Sequence, residues 1–278
     1  MIPVKTEKEI KIMQEGGKRL AWVFGQVLEE IRPGIELRKL DELAERLIVK
    51  QGGFPSFKTV KGYHWTTCIN VNEGVVHGIP NGYQIKQGDV VSLDMGMLYE
   101  GFHTDMARTL WVRTQNSKLK AQNSTSPRRW RGNDLDSCEV NKFLEAGKKA
   151  LRTAIQAAKA GNRVGHISAA IEKVIRKASL SPIEVLTGHG VGQKLHEEPQ
   201  ILCFAREEIN RTPLLEPGMT LAVEVIYAQG KPDLVLEKDG WTLRTADGKL
   251  AGLFEDTILV AKKSPIILTP LETRLEVC

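Results

Sequence analysis

The sequence holds little that would mark a secreted, membrane-bound or thiolate-metal protein. Its four cysteines, Cys68, Cys138, Cys203 and Cys278, are all at least 65 residues apart, and no C-x-x-C occurs. Thiols so scattered suit neither a disulfide framework nor a zinc–thiolate site, and they point to a reducing cytoplasm. No run of eighteen apolar residues is present, so a membrane-spanning helix is excluded. The first fifteen residues, MIPVKTEKEIKIMQE, lack the apolar stretch of a signal peptide. Strong charge of one sign is missing too: 39 Lys and Arg face 34 Asp and Glu. Six of those bases (Arg113, Lys118, Lys120, Arg128, Arg129, Arg131) crowd into residues 113–133, which contain no acid. Without them the two signs balance, so the basic character belongs to one segment rather than to a nucleic-acid-binding body.

What is present is a repeat. Residues 33–50, PGIELRKLDELAERLIVK, lie over 160–177, AGNRVGHISAAIEKVIRK, at an offset of 127. Leu37, Leu40, Leu43, Leu47 and Ile48 fall on Val164, Ile167, Ala170, Val174 and Ile175, the stripe of an amphipathic helix after a turn. The same offset lays Val23, Phe24, Val27 and Leu28 over Ala150, Leu151, Ala154 and Ile155, giving each copy an earlier helix. After each helix pair the pattern turns to strands: 66–72, 89–101 and 102–112 in the first copy, 219–230 and 250–263 in the second. The expectation is one α/β domain over 1–278, built from helix–helix–strand–strand halves at 5–112 and 139–263. Segment 113–138 between them reads as a flexible, exposed insertion. A docking segment for an anionic partner, with Trp130 as a stacking platform, is the sharper reading of it.

Both hairpins carry acids where strands favour apolar residues. Asp94 and Asp105 stand in the first, Glu224 and Glu255 in the second. Burying one uncompensated carboxylate costs several kcal/mol or forces it neutral. Arg108 is the one base near them in sequence, and its odd offset from Asp105 turns it to the opposite face of a strand. Two divalent cations would balance four carboxylates, with His189 supplying a nitrogen. Such an O-and-N set suits Mn, Fe(II), Co or Zn. His189 lies in G-H-G-V-G-Q-K-L-H-E-E-P-Q (188–200), where glycines and Pro199 argue against a helix, and the motif H-E-x-x-H fails because Gln occupies position 200.

Six strings, N-V-N-E-G-V-V-H-G-I-P (70–80), L-D-M-G…F-H-T-D-M-A-R-T (93–109), G-H-G-V-G…L-H-E-E-P-Q (188–200), M-T-L-A-V-E (219–224), D-G-W-T (239–242) and F-E-D-T (254–257), resemble the type I methionine aminopeptidases. The resemblance runs from about residue 5 to 270 and implies the duplicated pita-bread fold with a central antiparallel sheet. It implies a dinuclear metal site of Asp94, Asp105, His189, Glu224 and Glu255, with Asp105 and Glu255 bridging both ions. His77 and His196 would contact the substrate, and Tyr63, Cys68, Leu195 and Trp241, together with Phe57, would enclose the N-terminal side chain. The sequence departs from the family pattern at Leu195, Val225, Asp256 and H-W-T-T (64–67), which bears on side-chain selectivity.

The activity so implied is removal of the N-terminal methionine from nascent polypeptides with a small second residue. The nucleophile would be a hydroxide held by the two metals, with Glu224 as proton shuttle and His77 and His196 steadying the tetrahedral intermediate. The glycines of 188–192 would let the backbone turn sharply beside the metals, and Glu197 and Glu198 would stay off them. His103 and His166 are expected to be exposed, and His64 to border the pocket. A cytoplasmic monomer that meets nascent-chain N-termini is expected, touching the ribosome through the basic 113–138 loop. Two alternatives remain: a prolidase-like peptidase, or an inactive binding protein on the same fold.

Overall fold

The computed structural model describes residues 2–113 and 137–271. Helices α1 (Glu7–Glu29) and α2 (Leu37–Lys50) precede β1 (Phe54–Pro55), β2 (Thr67–Val71), β3 (Gly74–Val76), β4 (Val90–Tyr99) and β5 (Phe102–Trp111). The second half begins with α3 (Ser137–Ala157) and α4 (Val164–Lys177). It continues through β6 (Ser181–Pro182), β7 (Thr187–Gly190), β8 (Glu197–Leu202), β9 (Thr220–Ala228), β10 (Leu234–Leu236), β11 (Leu243–Thr245), β12 (Ala251–Leu259) and β13 (Ile266–Ile267). The offset of 127 read from the sequence is kept: α2 and α4 each run 14 residues. The short strands β1 and β6 also fall 127 apart, pairing with β4 and β9 in the same antiparallel sense. Nearly all of the basic insertion lies outside the described residues; its positions 137 and 138 are the first two of α3.

Local chemistry sets the element ends. Thr6 caps α1, its backbone N–H donating to Glu9 at 2.7 Å while Glu9 N–H donates to the Thr6 hydroxyl. Along α1, Met13, Leu20, Phe24 and Val27 make a fully buried stripe. The helices cover one face of a ten-stranded sheet whose path runs β1-β4-β5-β12-β9-β7-β8. Leu93, Met95 and Met97 of β4 pack with the first helix pair, and Val223 and Val225 of β9 with the second. Each such side chain, fully enclosed, contributes about 1.5–3 kcal/mol. Strand alternation then sends Asp94 and Glu224 to the opposite face.

At the seam between the halves, β5 and β12 pair directly only at Ala107–Glu255 and Met106–Asp256. Threonine side chains replace the ladder on both sides. Thr257 Oγ1 accepts from Asp105 N–H and donates to its carbonyl, and Thr109 Oγ1 does the same for Leu253, all four bonds at 2.8 Å. The strands are held together yet spread apart beside Asp105. A separate small sheet, β10-β11-β3, carries the tight turn at Asp239–Gly240. Asp239 accepts from the N–H groups of Trp241 and Thr242, both at 2.9 Å, which fixes the direction of Trp241.

Candidate metal centre

Cross-strand register draws one row over five strands. Cys68 of β2 faces Asp94 of β4, Asp94 faces Ala107 of β5, Ala107 faces Glu255 of β12, and Glu255 faces Glu224 of β9. Directly opposed residues share a face. Asp105, two positions before Ala107, joins that face, and the single methyl of Ala107 leaves the middle of the row open. His189 comes from β7, opposite Ala222 of β9. Ligand atoms of Asp105, His189 and Glu255 lie within 4.8 Å of one another. His189 Nε2 is 3.4 Å from Glu224 Oε1. The five residues proposed from the sequence as a metal site are therefore brought together.

Their electrostatics suit a cation. Burial, then the charges of Asp105 and Glu224, raises the Asp94 carboxyl well above its usual range. Burial lifts Asp105 to about 7. Glu224 and Glu255 are raised by burial and then by Asp105. Asp94 Oδ1 and Glu255 Oε1 are buried with no hydrogen-bond partner among the described residues. Arg108 gives no relief, because its guanidinium bonds Asp256 at 2.7 Å. Four acids, orphaned oxygens and one imidazole fit a pair of divalent ions.

His189 is oriented for the task. Its Nδ1 lies 2.8 Å from the Gly190 carbonyl, an acceptor only, so Nδ1 carries the proton and Nε2 keeps its lone pair. Burial, then His196, depresses its basicity to about 4. The glycines around it work differently from the expected sharp turn. None of Gly188, Gly190 or Gly192 has a positive φ. They allow close approach instead: a Cβ on Gly188 would lie 2.6 Å from the Ala222 carbonyl oxygen, and one on Gly190 2.1 Å from that of Glu198. Glu197 is kept off the acids by a buried ion pair with Lys5 at 2.5 Å.

His196 stands beside His189, ring centroids 4.5 Å apart, and is exposed to the cleft. His77 follows β3 with φ +58, a left-handed strain typical of functional positions. Both line one cavity with His189 and Glu224. His103, expected to be exposed, is instead 5% accessible. Its Nδ1 meets Ser56 Oγ at 2.9 Å, and a lone histidine in a sequence carries no sign of such a partner. His166 is half-buried, its Nδ1 accepting from Arg163 N–H at 3.0 Å ahead of α4, while His64 is exposed against Trp65. Phe57, Tyr63, Cys68 and Leu195 form a buried cluster completed by Trp241, which adjoins the acid row through Cys68, opposite Asp94. In it the Tyr63 hydroxyl donates to the Thr67 carbonyl at 2.8 Å, and the Tyr63 and Trp241 rings meet edge-on at 5.1 Å. Of the departures from the family pattern, Val225 packs in the helix-side core and Asp256 pairs with Arg108, so neither faces the acids. A further cavity of about 810 Å³, between α3 and α4, shares no residue with this site.

Comparison with known proteins agrees with this geometry. Over residues 11–262 the chain matches the model described as metallopeptidase family M24. It is 38% identical over 269 residues to methionine aminopeptidase 1 of Bacillus subtilis, covering 97% of this chain and 99% of that one. It is 36% identical to the methionine aminopeptidase of Clostridium perfringens, with the same coverage. The crystal structure of the Thermotoga maritima methionine aminopeptidase superimposes with a TM-score of 0.85 at 33% identity, over 97% of this chain and 99% of that one. That likeness confirms the pita-bread architecture, and with it a metal-dependent hydrolase. The chain belongs to metallopeptidase family M24.

Proposed function

We propose that this chain removes the N-terminal methionine from peptides whose second residue is small. The observation that carries the reading is the meeting of four buried acids and His189 with two cleft-exposed histidines. Asp94, Asp105, His189, Glu224 and Glu255 would hold the metal ions, which when bound supply Lewis-acid activation of water and of the scissile carbonyl. Glu224 keeps 13% of its side chain accessible and lines the cleft, so it is the acid placed to take a proton and return it to the leaving amine. His77 and His196 donate hydrogen bonds to the oxygen that gains charge. The cluster of Phe57, Tyr63, Cys68, Leu195 and Trp241 takes an unbranched apolar side chain.

The catalytic unit spans both halves as one domain and acts as a monomer on nascent chains in the cytoplasm; no described helix is long and apolar enough to cross a membrane. Docking to the ribosome through the basic segment rests on composition alone. The deciding experiment gives the metal-loaded chain Met-Ala-Ser, Met-Leu-Ser and Ala-Pro peptides. Release of methionine from Met-Ala-Ser only is the expected result. Cleavage of Ala-Pro would transfer the assignment to a prolidase-like activity, and no cleavage with any metal would leave a binding protein.

A further inference from the structure

On one side the catalytic groups open onto a cavity of about 830 Å³ floored by His77, His189, His196 and Glu224. None of the cluster residues Tyr63, Cys68, Leu195 and Trp241 lines it. It therefore leads away from the place assigned to the N-terminal side chain, in the direction the rest of a bound peptide must take. Its size lies within the ~300–1,000 Å³ of sites that enclose drug-sized ligands, enough for more than one residue. Its lining also includes Pro3 and Val4, before α1, and Val185 and Leu186, before β7. Val4 is 50% exposed and Val185 73%, an apolar rim beside a reactive centre.

The Val4 wall is held in place. Lys5 N–H donates to the Gly218 carbonyl at 2.8 Å, and Lys5 Nζ pairs with Glu197 at 2.5 Å, the two side chains 5% and 7% accessible. The other oxygen of Glu197 accepts from Lys194 N–H at 3.1 Å, so this carboxylate has no free side to offer a ligand. Glu9 is likewise engaged by Thr6. That leaves Glu198 and the Lys194 ammonium, of opposite sign, among the charges at the rim.

We propose that this cavity binds the substrate residues downstream of the scissile bond, and that Val4, Val185 and Leu186 select apolar side chains at the third and fourth positions. This rests on the aminopeptidase reading. The test measures kcat/KM of the metal-loaded full chain on Met-Ala-Leu-Val and Met-Ala-Gly-Gly. The expected ratio is about tenfold in favour of the apolar peptide, the low end of what one apolar group gives in a pocket. A Val4→Asp/Val185→Asp variant brings that ratio close to one, and Val185→Asp alone, at a surface position, lowers it partway. A ratio near one in the unsubstituted chain overturns the inference, as does an undiminished ratio in both variants. Release of methionine from neither peptide overturns the aminopeptidase reading and this inference together.

Discussion

Glu255 and Asp256 are neighbours on β12, at 2% and 3% exposure, and the two faces of the sheet receive them in opposite ways. On the helix-covered face, Asp256 accepts from Arg108 at 2.7 Å and from the Thr269 hydroxyl at 3.2 Å. Burial raises its pKa, and the guanidinium works against that rise. On the other face, Glu255 meets Glu224 across the ladder, and every nearby charge pushes its pKa in the same direction as burial. Arg108 reaches the backbone carbonyl of Glu255 but not its carboxylate. A buried acid with its own arginine belongs to the architecture. One placed among three more acids, with no lysine or arginine paired to it among the described residues, suits a metal.

The difference is largest in activity. Glu255→Gln keeps the volume and removes one of the charges that hold the cations. Turnover should fall by about 10³-fold or more, with bound metal per chain falling alongside in an elemental assay. The metal-free variant should melt no lower than the metal-free parent, since one member of a repelling set is gone. Retained metal and turnover would break the comparison. Arg108→Met does the reverse, stranding Asp256 while sparing the acid row. It should destabilise the fold by ~3 kcal/mol, the low end for a broken buried pair because Arg108 is one-fifth accessible. Urea unfolding of the metal-loaded chain measures it.

The acid row also sets a pH dependence. Asp94, Asp105, Glu224 and Glu255 have folded-state pKa values raised above their unfolded ones, Asp105 to about 7. Their contribution favours the fold at low pH and is lost as pH rises through the folded values. Burial also depresses His77, His196, His103 and His189, the last two to about 4, and these act in the other sense, mainly below about 6.5. Above about 6.5 that opposing contribution fades, while Asp105, raised to about 7, still titrates. The chelated chain should lose up to about 1.4 kcal/mol per pH unit for each proton released, and the metal-loaded chain much less. Melting temperatures of the two forms from about pH 6.5 to 8 give the answer; parallel curves would mean that the acids are not the source of strain.

Much of this was legible in the sequence because it is local. Helical stripes and their offset of 127 show in spacing alone, and an acid inside an apolar strand run is conspicuous wherever the strand goes. Asp94, Asp105, Glu224 and Glu255 stand out for that reason. What stayed hidden depends on register. Ala107 matters because it falls between Asp94 and Glu255 across three strands, and Thr109 and Thr257 because they replace ladder bonds at the seam. Asp41 looks like a solvated helix residue. In the structure it is buried and takes three hydrogen bonds from Thr66 and Thr67, tying α2 to the start of β2. The same applies to Lys5 and Glu197, 192 positions apart. The glycines of 188–192 misled for a related reason: a glycine that leaves room for a neighbouring strand looks, in one dimension, like a glycine that turns the chain.

The smallest expected effect tests whether Asp256 depends on its arginine or on the whole of its surroundings. Thr269 donates to Asp256 and accepts from Thr257 N–H at 3.1 Å, so it links the helix-side acid to the threonine that spreads the seam beside Asp105. Thr269→Val keeps the shape and removes both bonds. A loss of about 1 kcal/mol is the net value of one hydrogen bond, and the buried N–H left on Thr257 should move the result towards 2 kcal/mol. Turnover and metal content should stay within twofold of the parent, because the acid row lies on the other face. If turnover falls in step with stability, the two faces of β12 are coupled through Thr257, and the division between an architectural acid and a metal-holding acid is narrower than their partners suggest.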